Sequence, residues 1–241
     1  MALALFDLDN TLLAGDSDYL WGRFLAQQGL VDRDHYEREN ERFYQAYREG
    51  CLDIQAFLRF SLKPLRDIPW PQLQDLRQSF MHETIEPLLL PAARALIDLH
   101  KILGDTPVII TATNAFITAP IAARFGVAHL IATEPEWRDG GYTGQVAGVP
   151  CFQSGKVTRL LTWIEQANEE LAGSHFYSDS HNDLPLLEQV TYPVATDPDK
   201  TLTQVAQCRG WPLLSLRQAP LAPDWVRWLQ DRRDSYRNLL V

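Results

Sequence analysis

The sequence predicts an α/β fold: a doubly wound (Rossmann-like) parallel sheet with an inserted α-helical cap. Three observations point there. Five short β-leaning runs are almost continuously apolar, which suits strands buried on both faces of a parallel sheet. Helical patterns separate several of these runs, the alternation that winds such a sheet on both sides. About a hundred residues part the first run from the second, where a crossover needs roughly a dozen.

The first run is Leu3–Phe6. Much of the long interval after it is helical in pattern. Residues 32–49 carry mixed charges and stop at Gly50, and residues 52–62 are amphipathic. Residues 71–85 open on a proline, which the first turn of a helix tolerates. This organisation assigns residues 15–87 to the cap, and residues 1–14 with 88–241 to the core.

Within the core, the helical pattern Pro91–Leu103 ends before Gly104, and the second strand is expected at residues 107–111. A helix over 116–125 closes at Gly126, a residue suited to the left-handed C′ position, and a strand follows at 128–132. Residues 134–146 read as a hairpin turning on Asp139, Gly140 and Gly141. Ser154 reads as an N-cap, with Val157, Leu160, Leu161, Ile164, Ala167 and Leu171 forming one apolar face. The last strands are expected at 175–177 and 192–195. Beyond them, Asp224 can cap a final helix containing Trp225, Trp228, Leu229, Tyr236 and Leu240. That helix either packs on the core or makes a dimer contact, so a monomer or a homodimer is expected.

A net charge of −9 excludes the broad basic surface that nucleic acids or anionic membranes need. An anionic substrate remains open, because a metal and one lysine make a local positive site. Cys51, Cys151 and Cys208 are far apart without ligand spacing and read as reduced thiols. The apolar start meets Asp7 with no basic flank, and no apolar stretch approaches membrane-spanning length. A cytoplasmic enzyme is expected.

Its chemistry begins at Asp7-Leu8-Asp9-Asn10-Thr11, directly after the first strand. Ligands of open α/β sheets bind beyond the carboxyl ends of the strands. Two carboxylates there are costly unless neutralised, and hard Mg²⁺ takes oxygen ligands while keeping waters for a phosphate. One carboxylate can then attack phosphorus while the other shuttles a proton. The bland alternative is a solvated acidic turn.

Three further stations follow. Thr111 can hold phosphate oxygens with neighbouring backbone N–H groups, or can be an ordinary strand or capping residue. Lys156 sits in a first helical turn, where the helix dipole favours an acid, so it is either a charge-neutralising group or a solvated lysine. Asp179 and Asp183 lie four residues apart after the fourth strand and can share a metal. His181, beside them, reads as a solvent-side neighbour rather than a catalytic base.

In this order the stations resemble the haloacid dehalogenase superfamily. Asp7 and Asp9 match its first motif, Thr111 its second, Lys156 its third, and Asp179 with Asp183 its fourth. The insertion after the first motif resembles the cap of the phosphoserine phosphatase branch. The resemblance implies that Asp7 is the nucleophile and Asp9 the general acid, then base. It implies Mg²⁺ held by the Asp7 carboxylate, the Asp9 carbonyl and Asp179, with Asp183 acting through water or by orienting Lys156. Thr111, the Ala112 amide and Lys156 would bind the phosphate, and the reaction would pass through an aspartyl-phosphate.

Substrate choice then falls to the cap. Asp16 stands where phosphoserine phosphatases carry a glutamate facing the substrate amine, though an N-cap role for the helix starting near Tyr19 competes, strongly for Asp18 and less for Asp16. Arg59 could grip a substrate carboxylate. Where phosphoserine phosphatases usually show Ser-Gly-Gly, this chain has Thr111-Ala112-Thr113, followed by Asn114. With Asn182 and the Leu184-Pro185-Leu186-Leu187 run, this is similar to a sister subfamily that includes histidinol-phosphate phosphatases. Ala112, Thr113, Asn114, Asn182, Asp16 and Arg59 are therefore the expected substrate-binding residues. The expected substrate is a small phosphorylated metabolite bearing an amine, histidinol phosphate ahead of phosphoserine. Phosphotransfer to an alcohol acceptor is the alternative reaction. A receiver-like phospho-switch is disfavoured by the length and the insertion.

Overall fold

The computed structural model describes residues 2–218 and 220–239, with side chains of the last helix up to Arg232. Its strands are β1 Leu3–Phe6, β2 Thr106–Asn114, β3 His129–Thr133, β4 Pro135–Arg138, β5 Gly141–Val146, β6 His175–Ser178, β7 Tyr192–Thr196 and β8 Leu213–Leu214. Six of them form one sheet in the order β3-β2-β1-β6-β7-β8, and every neighbouring pair is parallel. The order reverses between β1 and β6, the kind of crevice in which doubly wound folds bind ligands. Every residue of β1 and β6 is buried, as their unbroken apolar runs require. Apolar layers cover both faces of the sheet: Phe6 and Ile109 join one, Leu5 and Ile110 the other.

The insertion after β1 carries five α-helices: α1 Ser17–Gln27, α2 Arg33–Arg48, α3 Ile54–Ser61, α4 Lys63–Asp67 and α5 Trp70–Phe80. Asp16, Asp32 and Asp53 cap the first three, each accepting a backbone N–H three residues on. Asp16 rather than Asp18 is thus the cap of α1. A π-turn at Met81–Ile85 and a 3₁₀ turn at Glu86–Leu88 end α5, and Pro87 cannot donate to continue it. The two chain segments that join these helices to the sheet pair with each other. Leu13 and Leu89 form an antiparallel bridge, and Ala14 N–H donates to the Leu88 carbonyl at 2.8 Å. The insertion also shares apolar packing with the rest of the chain. Trp21 meets Phe80 and Phe116 edge-on at ring separations of 5.1 and 5.9 Å.

The remaining helices are α6 Pro91–Leu103, α7 Ala115–Arg124, α8 Ser154–Ala167, α9 Leu184–Leu187, α10 Lys200–Arg209 and α11 Pro223–Leu239. Gly104 and Gly126 take the left-handed conformation expected after α6 and α7. The hairpin turns on Asp139 and Gly140, both at positive φ, as a two-residue turn of that hand demands. It packs beside the insertion, with Trp70 contacting Trp137 and Tyr142.

Several expectations are corrected. β2 continues three residues past Thr111 to Asn114, with a register shift against β3 between Ile110 and Asn114. Ser154 is the first helical residue of α8, and Gln153, at φ 48°, occupies the cap without a side-chain bond. Leu161 is 51 % exposed, because only part of the α8 stripe meets the sheet. β8, two residues long, is too short to leave an apolar pattern. In α11, Leu229 is buried and Trp225 and Trp228 pack against the core; the Tyr236 side chain and Leu240 lie outside the described residues.

At Gly155 the backbone passes too close to Pro150 to leave room for a side chain. A Cβ there would overlap the Pro150 carbonyl oxygen. Gly155→Ala is therefore expected to lose roughly 1–3 kcal/mol in urea denaturation. Gly141→Ala, with nothing within 4 Å, should stay within about 0.5 kcal/mol.

Candidate active site

The stations read from sequence converge at the carboxyl ends of β1, β2 and β6. Asp7 N–H donates to the Tyr177 carbonyl at 2.9 Å, extending the β1–β6 ladder by one bond. This fixes the Asp7 side chain above the switch point. The close approach allowed by Gly155 brings the first turn of α8 to the same place. Lys156, 2 % exposed, puts its ammonium 2.7 Å from Asp7 Oδ1 and 2.7 Å from Asp183 Oδ2. The lysine misplaced for its helix dipole is thus paired with two buried acids. Ser178 adds a hydroxyl donor to Asp183 Oδ2 at 2.7 Å. Asp183 therefore holds Lys156, and that contact supports the orienting role rather than direct metal ligation.

Thr11, quoted above only as part of its motif, joins the two loops. Its hydroxyl lies 3.1 Å from Asp7 Oδ2 and 3.2 Å from Asp179 Oδ1, and it accepts from the Asp179 N–H. Asp9 is held from the opposite side. Its Oδ1 accepts the Ser17 N–H at 2.6 Å, at the amino end of α1. Its Oδ2 accepts from Thr113 at 2.8 Å and weakly from Thr111 at 3.5 Å. The threonines that replace smaller residues here thus orient an acid while Thr111, Ala112 and Thr113 still line the cleft.

Four carboxylates face one ammonium, and the charge imbalance shows. Burial, with Asp183 and Asp9 adding repulsion against the pull of Lys156, pushes the Asp7 carboxyl up to about 7. Burial and then Asp16 push Asp9 up to about 6, partly offset by the Ser17 and Thr113 hydrogen bonds. Asp179 is raised well above the usual carboxylate range by burial, then by Asp7 and Asp183. Burial opposes the charge on Lys156, but Asp183 and Asp7 outweigh it and hold its pKa above the usual lysine value. An all-oxygen set with surplus negative charge fits a hard divalent cation. His100, Asp105 and His175 also cluster, but at the amino ends of the strands, away from this set.

Above these groups lies a cleft roofed by the insertion. Asn40, Phe43, Tyr44 and Tyr47 line it at helical spacing from α2, a row hidden in sequence among charged neighbours. Asp16, Asp18, Tyr19, Leu52, Ile54, Phe57 and Phe152 complete the wall. No lysine or arginine lines it among the described residues.

Three expected substrate contacts are not brought there. Arg59 is exposed on α3 and does not line the cleft, because the apolar face of α3 turns its other side inward. The Asn114 side chain caps α7 by accepting the Ile117 N–H. Asn182 donates to the Tyr47 carbonyl at 2.9 Å and accepts from Gln153, tying α2 to the loop after β6. His181 is likewise structural: Asp199 accepts from its backbone and contacts its ring at 2.7 Å, and the ring abuts Gly50.

Comparison with known proteins identifies the family. The chain is 44 % identical over 219 residues to a histidinol-phosphatase of Neisseria meningitidis, covering 89 % of this chain and 99 % of that protein. A phosphoserine phosphatase of Mycobacterium tuberculosis is 31 % identical, over 90 % of this chain and 72 % of that one. A solved structure of a protein of unknown function from Bordetella pertussis Tohama I superposes with a TM-score of 0.84 at 44 % identity, covering 89 % of this chain and 98 % of that one. A phospho-aspartyl intermediate analogue of phosphoserine phosphatase shares the fold, with a TM-score of 0.67 at 19 % identity over 90 % and 93 % of the two chains. The haloacid dehalogenase-like hydrolase family matches residues 4–188, and the chain belongs to that family.

Proposed function

We propose that the chain is a Mg²⁺-dependent phosphatase that hydrolyses a small amine-bearing phosphomonoester through an aspartyl-phosphate on Asp7, with histidinol phosphate as the favoured substrate. The carrying observation is the cleft. Asp7 lies at its floor, held by Lys156, while its roof offers carboxylates and aromatic rings and no basic side chain. Such a roof suits an ammonium and, among the described residues, offers no cation to a substrate carboxylate. This favours histidinol phosphate over phosphoserine, as does the 44 % identity to a histidinol-phosphatase. We further infer that the cap spans residues 15–87, supported by the pairing of Leu13 with Leu89 at its base, and that the enzyme acts in the cytoplasm. No helix among the described residues is long and apolar enough to cross a membrane.

In this reading an Asp7 carboxylate oxygen attacks phosphorus in line. The bond to the ester oxygen breaks, and Asp9 gives that oxygen its proton. Asp9 then takes a proton from water as the water oxygen attacks phosphorus, freeing phosphate and restoring Asp7. Thr113 and the Ser17 N–H hold Asp9 in place for both steps. Lys156 keeps Asp7 oriented and offsets charge on the phosphoryl oxygens. Mg²⁺, held by Asp7, the Asp9 carbonyl and Asp179, would neutralise phosphate charge. Transfer to an alcohol acceptor would use the same intermediate, and added acceptors distinguish it by product.

Asp7→Asn should lower phosphate release from para-nitrophenyl phosphate by roughly 10³-fold or more. Failure of the wild type across a broad panel of phosphomonoesters would sink the reading. Protons compete with the cation at Asp7, raised to about 7. The apparent Mg²⁺ affinity should therefore strengthen as pH rises through about 6 to 7 and level off above, in Mg²⁺ titrations of activity after chelator treatment. Asp16→Asn should cut kcat/KM for histidinol phosphate by roughly 10- to 100-fold, the worth of one charge-assisted contact. Arg59→Ala should change it less than about twofold, since an exposed side chain outside the cleft touches no substrate.

A further inference from the structure

The roof of the cleft holds a carboxylate that this reaction does not use. Asp18 lies in the first turn of α1, is 8 % exposed and lines the cleft. Among the described residues its side chain has neither an ion pair nor a hydrogen-bond partner. A carboxylate so placed loses hydration without a compensating contact, which is costly unless a ligand supplies one. Burial, and then the Asp16 and Asp9 charges, raise its proton affinity well above the carboxylate norm. Without a partner, the group therefore holds its own proton more tightly than a solvated carboxylate does.

A second unused acceptor stands beside it. A Cβ at Gly22, one turn beyond Asp18 on the same helix face, would crowd Asn40 and Tyr36 at 3.1 Å, so α2 runs against α1 at this level. Asn40 is 5 % exposed, and its Nδ2 donates to the Tyr19 carbonyl at 2.9 Å. Its Oδ1 accepts no hydrogen bond among the described residues, and Asn40 lines the same cleft. Phe43 and Phe57, in contact edge to face at 5.4 Å, add apolar ring surface to that wall.

We propose that Asp18 and Asn40 form a second polar subsite, which takes a planar N–H donor on a substrate that carries two basic groups. This rests on the phosphatase reading and deepens it. The ammonium near the phosphate would meet Asp16, and a ring bearing N–H groups would lie deeper, donating to the Asp18 carboxylate and to Asn40 Oδ1. An imidazole can donate to a carboxylate in either protonation state, and its faces can pack on Phe43 and Phe57. Histidinol phosphate meets each demand. Phosphoethanolamine lacks the ring, and phosphoserine would bring a carboxylate toward like charges.

The test compares kcat/KM for histidinol phosphate and phosphoethanolamine in the wild type, Asp18→Asn and Asp16→Asn. The wild type should prefer histidinol phosphate, and Asp18→Asn should reduce that ratio at least about tenfold, the scale of one charge-assisted bond. A merely structural role for Asp18 would lower both substrates together and leave the ratio unmoved. Asp16→Asn should lower both, since each carries the ammonium. A ratio unchanged within twofold in Asp18→Asn, with histidinol phosphate still cleaved, overturns the subsite and leaves the phosphatase reading standing. Cleavage of no phosphomonoester by the wild type overturns both. Product inhibition of the wild type needs no variant: histidinol should inhibit at least about tenfold more tightly than 2-amino-1-propanol, and equal inhibition overturns the subsite.

Discussion

The Lys156 ammonium, buried between Asp7 and Asp183, is the interaction on which the rest of the site depends. It joins three segments that are far apart in sequence: the end of β1, the start of α8 and the loop after β6. Charge so deeply buried is tolerated only when its partners are in place, and loss of one partner leaves an unpaired charge in the core. The same contacts leave Asp7 oriented but not fully neutralised, because the carboxylates outnumber the cation. The backbone accommodates this arrangement at one point. Gly155 lets the start of α8 rest against the Pro150 carbonyl, and any side chain there would move the lysine away.

Much of the fold was legible because burial on two faces writes an unmistakable pattern. β1 and α6 fall where the apolar runs and the bounding glycine place them. Three of the four stations were legible for a different reason: acids at strand ends and a lysine in a first helical turn defy local preference, and such misfits tend to be functional, whereas Thr111 stands out only beside them. What sequence could not show was which neighbour each side chain meets. Asn114 and Asn182 sit among the motifs, yet the Asn114 Oδ1 caps a helix and the Asn182 amide donates to Tyr47. The lining of α2 was hidden because its amphipathic pattern names a buried face without naming what that face covers. Asp16 and Asp18 were both candidates for capping α1, and only the backbone geometry separates them.

The insertion is anchored at both ends of its span across the cleft. On one side Trp21, Phe80 and Phe116 pack edge to face, fusing it to α7. On the other, Asn182 holds the end of α2 and the His181 ring abuts Gly50. His181, steadied by Asp199, gains a role as a prop between the two parts. The Ser17 N–H bond to Asp9 adds a third link, made directly to the acidic cluster. Roof and floor are therefore positioned by one set of contacts, which suits chemistry that must exclude bulk water.

The bridge between Leu13 and Leu89 has a consequence for how such a molecule can diversify. Because the segments entering and leaving the insertion lie side by side, the core meets two adjacent stretches of chain whatever is strung between them. Lengthening the intervening chain then costs little, about 0.6 kcal/mol for each doubling of an unstructured loop. In the proposed reading, the part that selects a substrate can be exchanged, extended or resculpted while the part that breaks the phosphate ester keeps its register. Inheritance of the reaction and inheritance of the specificity are separable at a single pair of leucines.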